Sequence, residues 1–214
     1  MNEFTIIYLI RHSQKLNNKI LDNTNNHEYY QTRREKIILS IEGERRAKIL
    51  SEINELKDID IILSSNYVRT IQTAKYLAEN RNILIQIDDN FNERKFGIKQ
   101  NEIDISIEQY LNEKIKNPEG ESRKEVVNRI KKSFWNAVNE NRGKKIAIFT
   151  HQAAMTFLLM EWCKLEYIKE NKHICLSFKN KKIIDKVFDA PELFEIIIDK
   201  NNKIANIRNI NLEF

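Results

Sequence analysis

The chain is poor in the residues that punctuate or cross-link a protein: it has four glycines, two prolines and two cysteines in 214 residues. Cys163 and Cys175 show neither a CxxC arrangement nor metal-ligand spacing. That excludes a disulfide framework and a cysteine-built zinc or redox site, and both read as reduced, buried spacers in or near a helix. No repeat and no linker divides the chain, so one domain over 1–214 is expected, with an elaboration of the core around 164–190. A long apolar run is also missing. The first one is cut by Arg11 before it could span a bilayer or serve as a signal segment, and no basic leader precedes it. The expectation is therefore a cytoplasmic protein with no membrane partner. The formal net charge is +5, but Lys and Asn are spread along the whole length, and no segment alternates cations with exposed aromatics. A nucleic-acid footprint would concentrate on one face, so none is expected.

The remaining pattern has a clear order. Phe4 to Ile10 is β-branched and aromatic, the signature of a strand buried on both faces, and it stops abruptly at Arg11 and His12. In open α/β sheets the carboxyl ends of such strands hold ligands, and a guanidinium beside an imidazole suits an anion. In isolation such a pair is more often a solvated loop than a catalytic site. Lys145 to Thr150 repeats the design and ends at His151, with an apolar helix expected from Ala153 to about Cys163. Between them, Asp60 to Ser64 reads as a second buried strand leading into a helix whose first turn carries Arg69. A helix N-terminus already favours anions, so an arginine there adds a directed clamp.

Ser40 is expected to cap a helix carrying Ala47, Leu50 and Ile53, and Ile83 to Ile87 reads as a third strand. Glu93 follows, between Phe91 and Phe96, aromatics that could desolvate it and suit it to general-acid work. Val126, Val127, Ile130, Phe134, Ala137 and Val138 form the apolar stripe of a longer helix. Phe194 to Ile198 and Ile204 to Ile207 read as an antiparallel edge hairpin. The expected fold is α/β: a three-layer α/β/α sandwich with a mostly parallel central sheet and an antiparallel edge strand.

These segments together resemble the histidine phosphatase superfamily, also called the phosphoglycerate mutase-like family. Arg11-His12-Ser13 resembles its Arg-His-Gly motif, and Asn17 a polar residue that follows it. Leu39-Ser40-x-x-Gly43 resembles its helix opening, and Ser64 to Ala74 its second arginine motif. Glu93 with Gly97 is similar to its acid segment, Gly120-Glu121-Ser122 to another recurrent element, and Thr150-His151 to its second histidine. Three departures stand out: Ser13 replaces a glycine, Gln152-Ala153 replaces small glycines, and Lys99-Gln100-Asn101 stands where the family has Trp-Glu-Gly.

The resemblance implies a metal-independent enzyme without cofactors, acting on a small phosphorylated substrate. His12 is the implied nucleophile and phosphohistidine carrier; Arg11, Arg69 and His151 the implied phosphate ligands, with Asn17 beside them; Glu93 the implied acid and base. Dedicated mutases of the family tend to carry a longer insertion between acid and second histidine. The short interval from Glu93 to His151 favours a phosphomonoesterase over phosphoglycerate mutase-type transfer, with a catalytically silent phosphate-binding module as a third reading. A homodimer is compatible with all three.

Overall fold

Strand β1 (Phe4–Arg11) is the strand on which the sheet is built. Ile7 and Leu9 enter one apolar cluster while Tyr8 and Ile10 enter another, the alternation required of a strand covered on both faces. The computed structural model describes residues 4–16, 27–98, 105–168 and 173–214. In it, β1 pairs in parallel with β4 (Lys145–Thr150), which sets Arg11 opposite Thr150. On its other side it pairs antiparallel with β8 (Glu192–Asp199), which sets Arg11 opposite Glu192. With β2 (Ile61–Ser64), β3 (Ile85–Ile87) and β9 (Ile204–Ile210), the order becomes β3-β2-β4-β1-β8-β9. Four strands are parallel, and the hairpin β8–β9 closes one side antiparallel, as expected.

Helices cover both faces. Leu50 of α2 (Ile41–Glu52) and Ala74 and Leu77 of α3 (Val68–Arg81) pack with Tyr8, Ile10 and Phe149. Ser40 caps α2 by accepting the Gly43 amide at 3.0 Å. The opposite face is covered by α5 (Arg123–Glu140) and α6 (Gln152–Leu159), whose Ile130, Phe134, Met155 and Phe157 pack with Ile7, Leu9 and Ile146. A capping box between Ser122 and Glu125 starts α5, and all six residues of its expected stripe are buried. Burial of each large one contributes about 1.5–3 kcal/mol. Two short helices lie against these layers: Gln31 of α1 (His27–Lys36) donates to the Tyr67 hydroxyl at the start of α3, and Tyr110 of α4 (Ile105–Leu111) packs edge-on against Phe157 of α6.

The region expected as an unpatterned elaboration is a second sheet, ordered β5-β6-β7, made of β5 (Lys164–Ile168), β6 (His173–Phe178) and β7 (Lys181–Asp185). Ile174, Leu176 and Ile184 join the α5–α6 core, so this sheet is an extension of the same hydrophobic interior. Cys175 accordingly sits on a strand and not in or near a helix, while Cys163 lies just past α6; both are buried and free. Helix α6 ends at Leu159, earlier than expected.

With few glycines available, left-handed backbone falls largely on asparagine: Asn82 ends α3 at φ 53°, Asn180 turns β6 into β7 at 64°, and Asn202 turns β8 toward β9 at 60°. Asparagine tolerates this region because its short side chain can bond locally. Among the described residues, no helix is long and apolar enough to cross a membrane.

Candidate active site

Three parallel strands deliver the site from their carboxyl ends. The His12 amide donates to the Thr150 carbonyl and the Ser65 amide to the Phe149 carbonyl, each at 3.0 Å, so the residues just past β1, β2 and β4 converge. Arg69 enters from the first turn of α3. The His12 and His151 rings meet edge-on with centroids 5.2 Å apart, and the Tyr67 ring also meets His151 edge-on at 4.6 Å. Of the residues expected at the site, Arg11, His12, Arg69, Glu93 and His151 are brought together, while Asn17 lies outside the described residues.

The hydrogen bonds of His12 fix its tautomer. Its Nδ1 lies 2.7 Å from the Ser13 carbonyl, which can only accept, so Nδ1 carries the proton and Nε2 keeps a lone pair. Burial, then the charges of Arg69 and Arg11, hold its pKa well below that of free imidazole. The ring is thus a neutral base with its outer nitrogen open.

The two arginines are held by main chain on one side. Arg11 Nη1 donates to the carbonyls of Phe188 and Asp189, both at 2.9 Å, and Arg69 Nη1 donates to that of Arg34 at 2.6 Å. Arg69 also lies over the Tyr67 ring at 4.7 Å. Burial lowers both guanidinium pKa values, that of Arg69 to about 10, while Glu93 opposes the shift in each case. The Nε atoms of both arginines are buried without a hydrogen-bond partner. An unpaired buried donor costs about 1–3 kcal/mol, more when charged.

His151 is placed differently from an expected phosphate donor. Its Nδ1 accepts from Arg69 Nη2 at 3.0 Å, and its Nε2 faces Ser65 Oγ at 2.8 Å. Burial, followed by the charge of Arg69, holds this ring also well below its ordinary pKa.

Glu93 reaches the site from the loop after β3. Its carboxylate accepts the amides of Ala154 at 3.1 Å, Ala153 at 3.4 Å and Arg94 at 2.9 Å. The first two are the free amides of α6, so the Gln152-Ala153 segment still presents backbone N–H groups. Aromatic wrapping is not what holds Glu93: Phe91 is sunk in the core, and Phe96 lies beneath the guanidinium groups of Arg34 and Arg94.

Its backbone is fastened by a pair the sequence reading did not single out. Arg129 donates to the carbonyls of Asn90, Asn92 and Glu93, and its fork also meets Glu121 at 2.8 Å through both oxygens. Burial pushes the Glu121 carboxyl up, but Arg129 and the Lys95 amide outweigh it and hold the pKa below its ordinary value. Nothing local marks Arg129, whereas Glu121 lay within a motif already noted.

Ser13 is accommodated where a glycine was expected. Its amide donates to Thr73 Oγ1 at 2.9 Å and its hydroxyl to the Gly43 carbonyl at 2.7 Å. Among the described residues, no group of three or more His, Cys, Asp or Glu is placed to hold a metal ion.

A family model described as histidine phosphatase superfamily (branch 1) matches residues 7–177. A mycobacterial glucosyl-3-phosphoglycerate phosphatase shares the fold at TM-score 0.67 and 15% identity, covering 97% of this chain and 96% of its own. A phosphoglycerate mutase from Bacillus anthracis does so at TM-score 0.62 and 15% identity, covering 98% and 93%. No curated protein matches the chain in sequence.

Proposed function

The chain belongs to the histidine phosphatase superfamily, branch 1, and from that premise we propose that it is a phosphomonoesterase working through a phosphohistidine on His12. The observation that carries this is the locked His12 tautomer: with Nδ1–H on the Ser13 carbonyl, Nε2 is unprotonated beside two arginines that each hold a buried, unpartnered N–H. In the first step the Nε2 lone pair attacks phosphorus in line, and the ester oxygen leaves with a proton delivered by Glu93. In the second, Glu93 takes a proton from water, whose oxygen attacks the phosphorus and frees His12 and inorganic phosphate. Arg11 and Arg69 match the charge on the equatorial oxygens, which is greatest in the transition state.

The substrate class is a small phosphate ester. Between Glu93 and His151 the described chain forms only α4, α5 and β4, with no added enclosing layer, which favours water over a retained second substrate as acceptor.

The test is hydrolysis of p-nitrophenyl phosphate with a chelator present throughout, by the natural chain and by His12→Ala. Turnover in the first and a loss on the order of a thousandfold or more in the second is the expected result. Undiminished activity in His12→Ala removes the mechanism. Absence of turnover in the natural chain on this and a panel of sugar and glycerate phosphates supports a silent binding module instead.

A further inference from the structure

As placed, neither nitrogen of His151 can give a proton to an oxyanion. Arginine only donates, so the contact at 3.0 Å makes Nδ1 the acceptor of Arg69 Nη2–H. The proton of the neutral ring therefore sits on Nε2 and goes to Ser65 Oγ at 2.8 Å. Ser65 Oγ lies 2.6 Å from Thr70 Oγ1, and Thr70 gives its own proton to the Tyr67 carbonyl at 2.6 Å. A carbonyl has no proton to return, so the relay runs one way and commits both hydroxyls. An oxyanion that recruits Arg69 Nη2 would leave the Nδ1 lone pair facing it, which is repulsive unless that nitrogen is protonated.

We propose that anion binding at this site is coupled to the uptake of one proton at His151 Nδ1, with Ser65 as the positioning residue that keeps the opposite N–H satisfied. The inference rests on reading the site as a phosphate site. The Arg69–Nδ1 hydrogen bond breaks, the Nδ1 lone pair takes a proton, and the new N–H donates to the oxyanion while Nε2–H stays on Ser65. A ligand arriving as a monoanion supplies the proton from its own P–OH; a dianion leaves it to come from solvent.

Arg69 and Tyr67 face the ring from α3 and its cap, His12 and Arg11 from the end of β1, and Arg129 from α5, with Glu93 acting on Arg69. Burial is the main cause holding the Tyr67 phenol up to about 12, so it stays neutral. His12 already spends its N–H on Ser13. Burial and the surrounding cations keep His151 neutral, and the charge of the bound anion offsets the cations.

Sulfate is the probe, because near neutral pH it brings no proton of its own. Its binding to the full chain is measured calorimetrically at one pH in buffers of different protonation enthalpy, and then across pH. The expected result is an uptake of about one proton per sulfate, with affinity falling about tenfold per pH unit where the free ring is neutral. His151→Gln abolishes the uptake and His12→Gln keeps it. Ser65→Ala weakens sulfate binding about tenfold or more at pH 7 and moves the pH profile down, and Ser65→Thr restores it.

Binding that is independent of pH with no proton uptake, uptake that survives His151→Gln, or no sulfate binding at all overturns the proposal. Proton-coupled binding without ester turnover leaves it standing and removes the phosphatase reading. Turnover with uncoupled binding does the reverse.

Discussion

Ser13 shows how a single side chain can stand in for a glycine next to His12. Its hydroxyl reaches the Gly43 carbonyl, and Gly43 in turn cannot grow, since a Cβ there would lie 2.0 Å from the Gln14 carbonyl oxygen. Ser13→Gly should therefore cost about 1–2 kcal/mol, from a lost hydrogen bond and a looser backbone, and leave turnover within a few-fold. Urea denaturation and initial rates on the same preparation check both halves, and a stability unchanged within error rejects the first. His12 carries a second expectation at this scale. With its pKa well below that of free imidazole, the ring stays unprotonated as the medium is acidified, so on the proposed mechanism the acid limb of kcat/KM should fall clearly below pH 6.5. A limb at 6.5 or above would mean that burial and the arginines do not govern this ring.

Arg11, His12, Arg69 and His151 were legible because each stands at the very end of an apolar run or in the first turn after one. Ser65 and Thr70 were part of a noted motif, but their relay was not, because its direction depends on which partner is an arginine or a carbonyl.

At the scale of elements, α5 does more than bury a stripe. Through Arg129 its outer side grips the loop that carries Glu93, with Glu121 fixing the guanidinium. On the proposed mechanism Arg129→Ala should lower kcat ten- to a hundredfold with a smaller change in KM, because Glu93, the proposed acid, moves while the proposed phosphate ligands stay, and should cost about 2 kcal/mol. Equal losses in kcat and overall fold content would assign the pair to stability alone.

The inner parallel strands β1, β2 and β4 were readable as apolar runs, but the second sheet was not. Lysines at 164, 179, 181 and 182 obscure its alternation. Its tight turn is Lys179-Asn180, both left-handed at φ 48° and 64°, where a hairpin normally announces itself with glycine. Scarcity of glycine thus removed the punctuation without removing the turn. The aromatic setting read around Glu93 failed for a related reason: sequence adjacency places Phe91 and Phe96 beside it, whereas the backbone sends one into the core and the other under two arginines.

For the whole molecule, two buried imidazoles with depressed pKa values tie stability to pH. The unfolded chain binds protons near 6.5 that the folded one refuses, so stability is full above that value and falls as the pH drops below it. Each ring contributes up to about 1.4 kcal/mol per pH unit. The urea midpoint should fall between pH 7.5 and 5.5, and His151→Gln should flatten part of the slope; an unchanged slope in that variant would show that other groups carry it.

The order of the sheet has a consequence for how the protein is made. Strand β1, which ends beside His12, finds its two partners only at residues 145–150 and 192–199. At synthesis rates of about 5–20 residues per second, that apolar strand waits on the order of ten seconds for its last neighbour. During that interval it is a surface for chaperones. Ribosome-stalled chains ending after β7 should be cut by protease within residues 4–11, and chains extended past β9 should resist, so that His12 is seated only when the final hairpin closes.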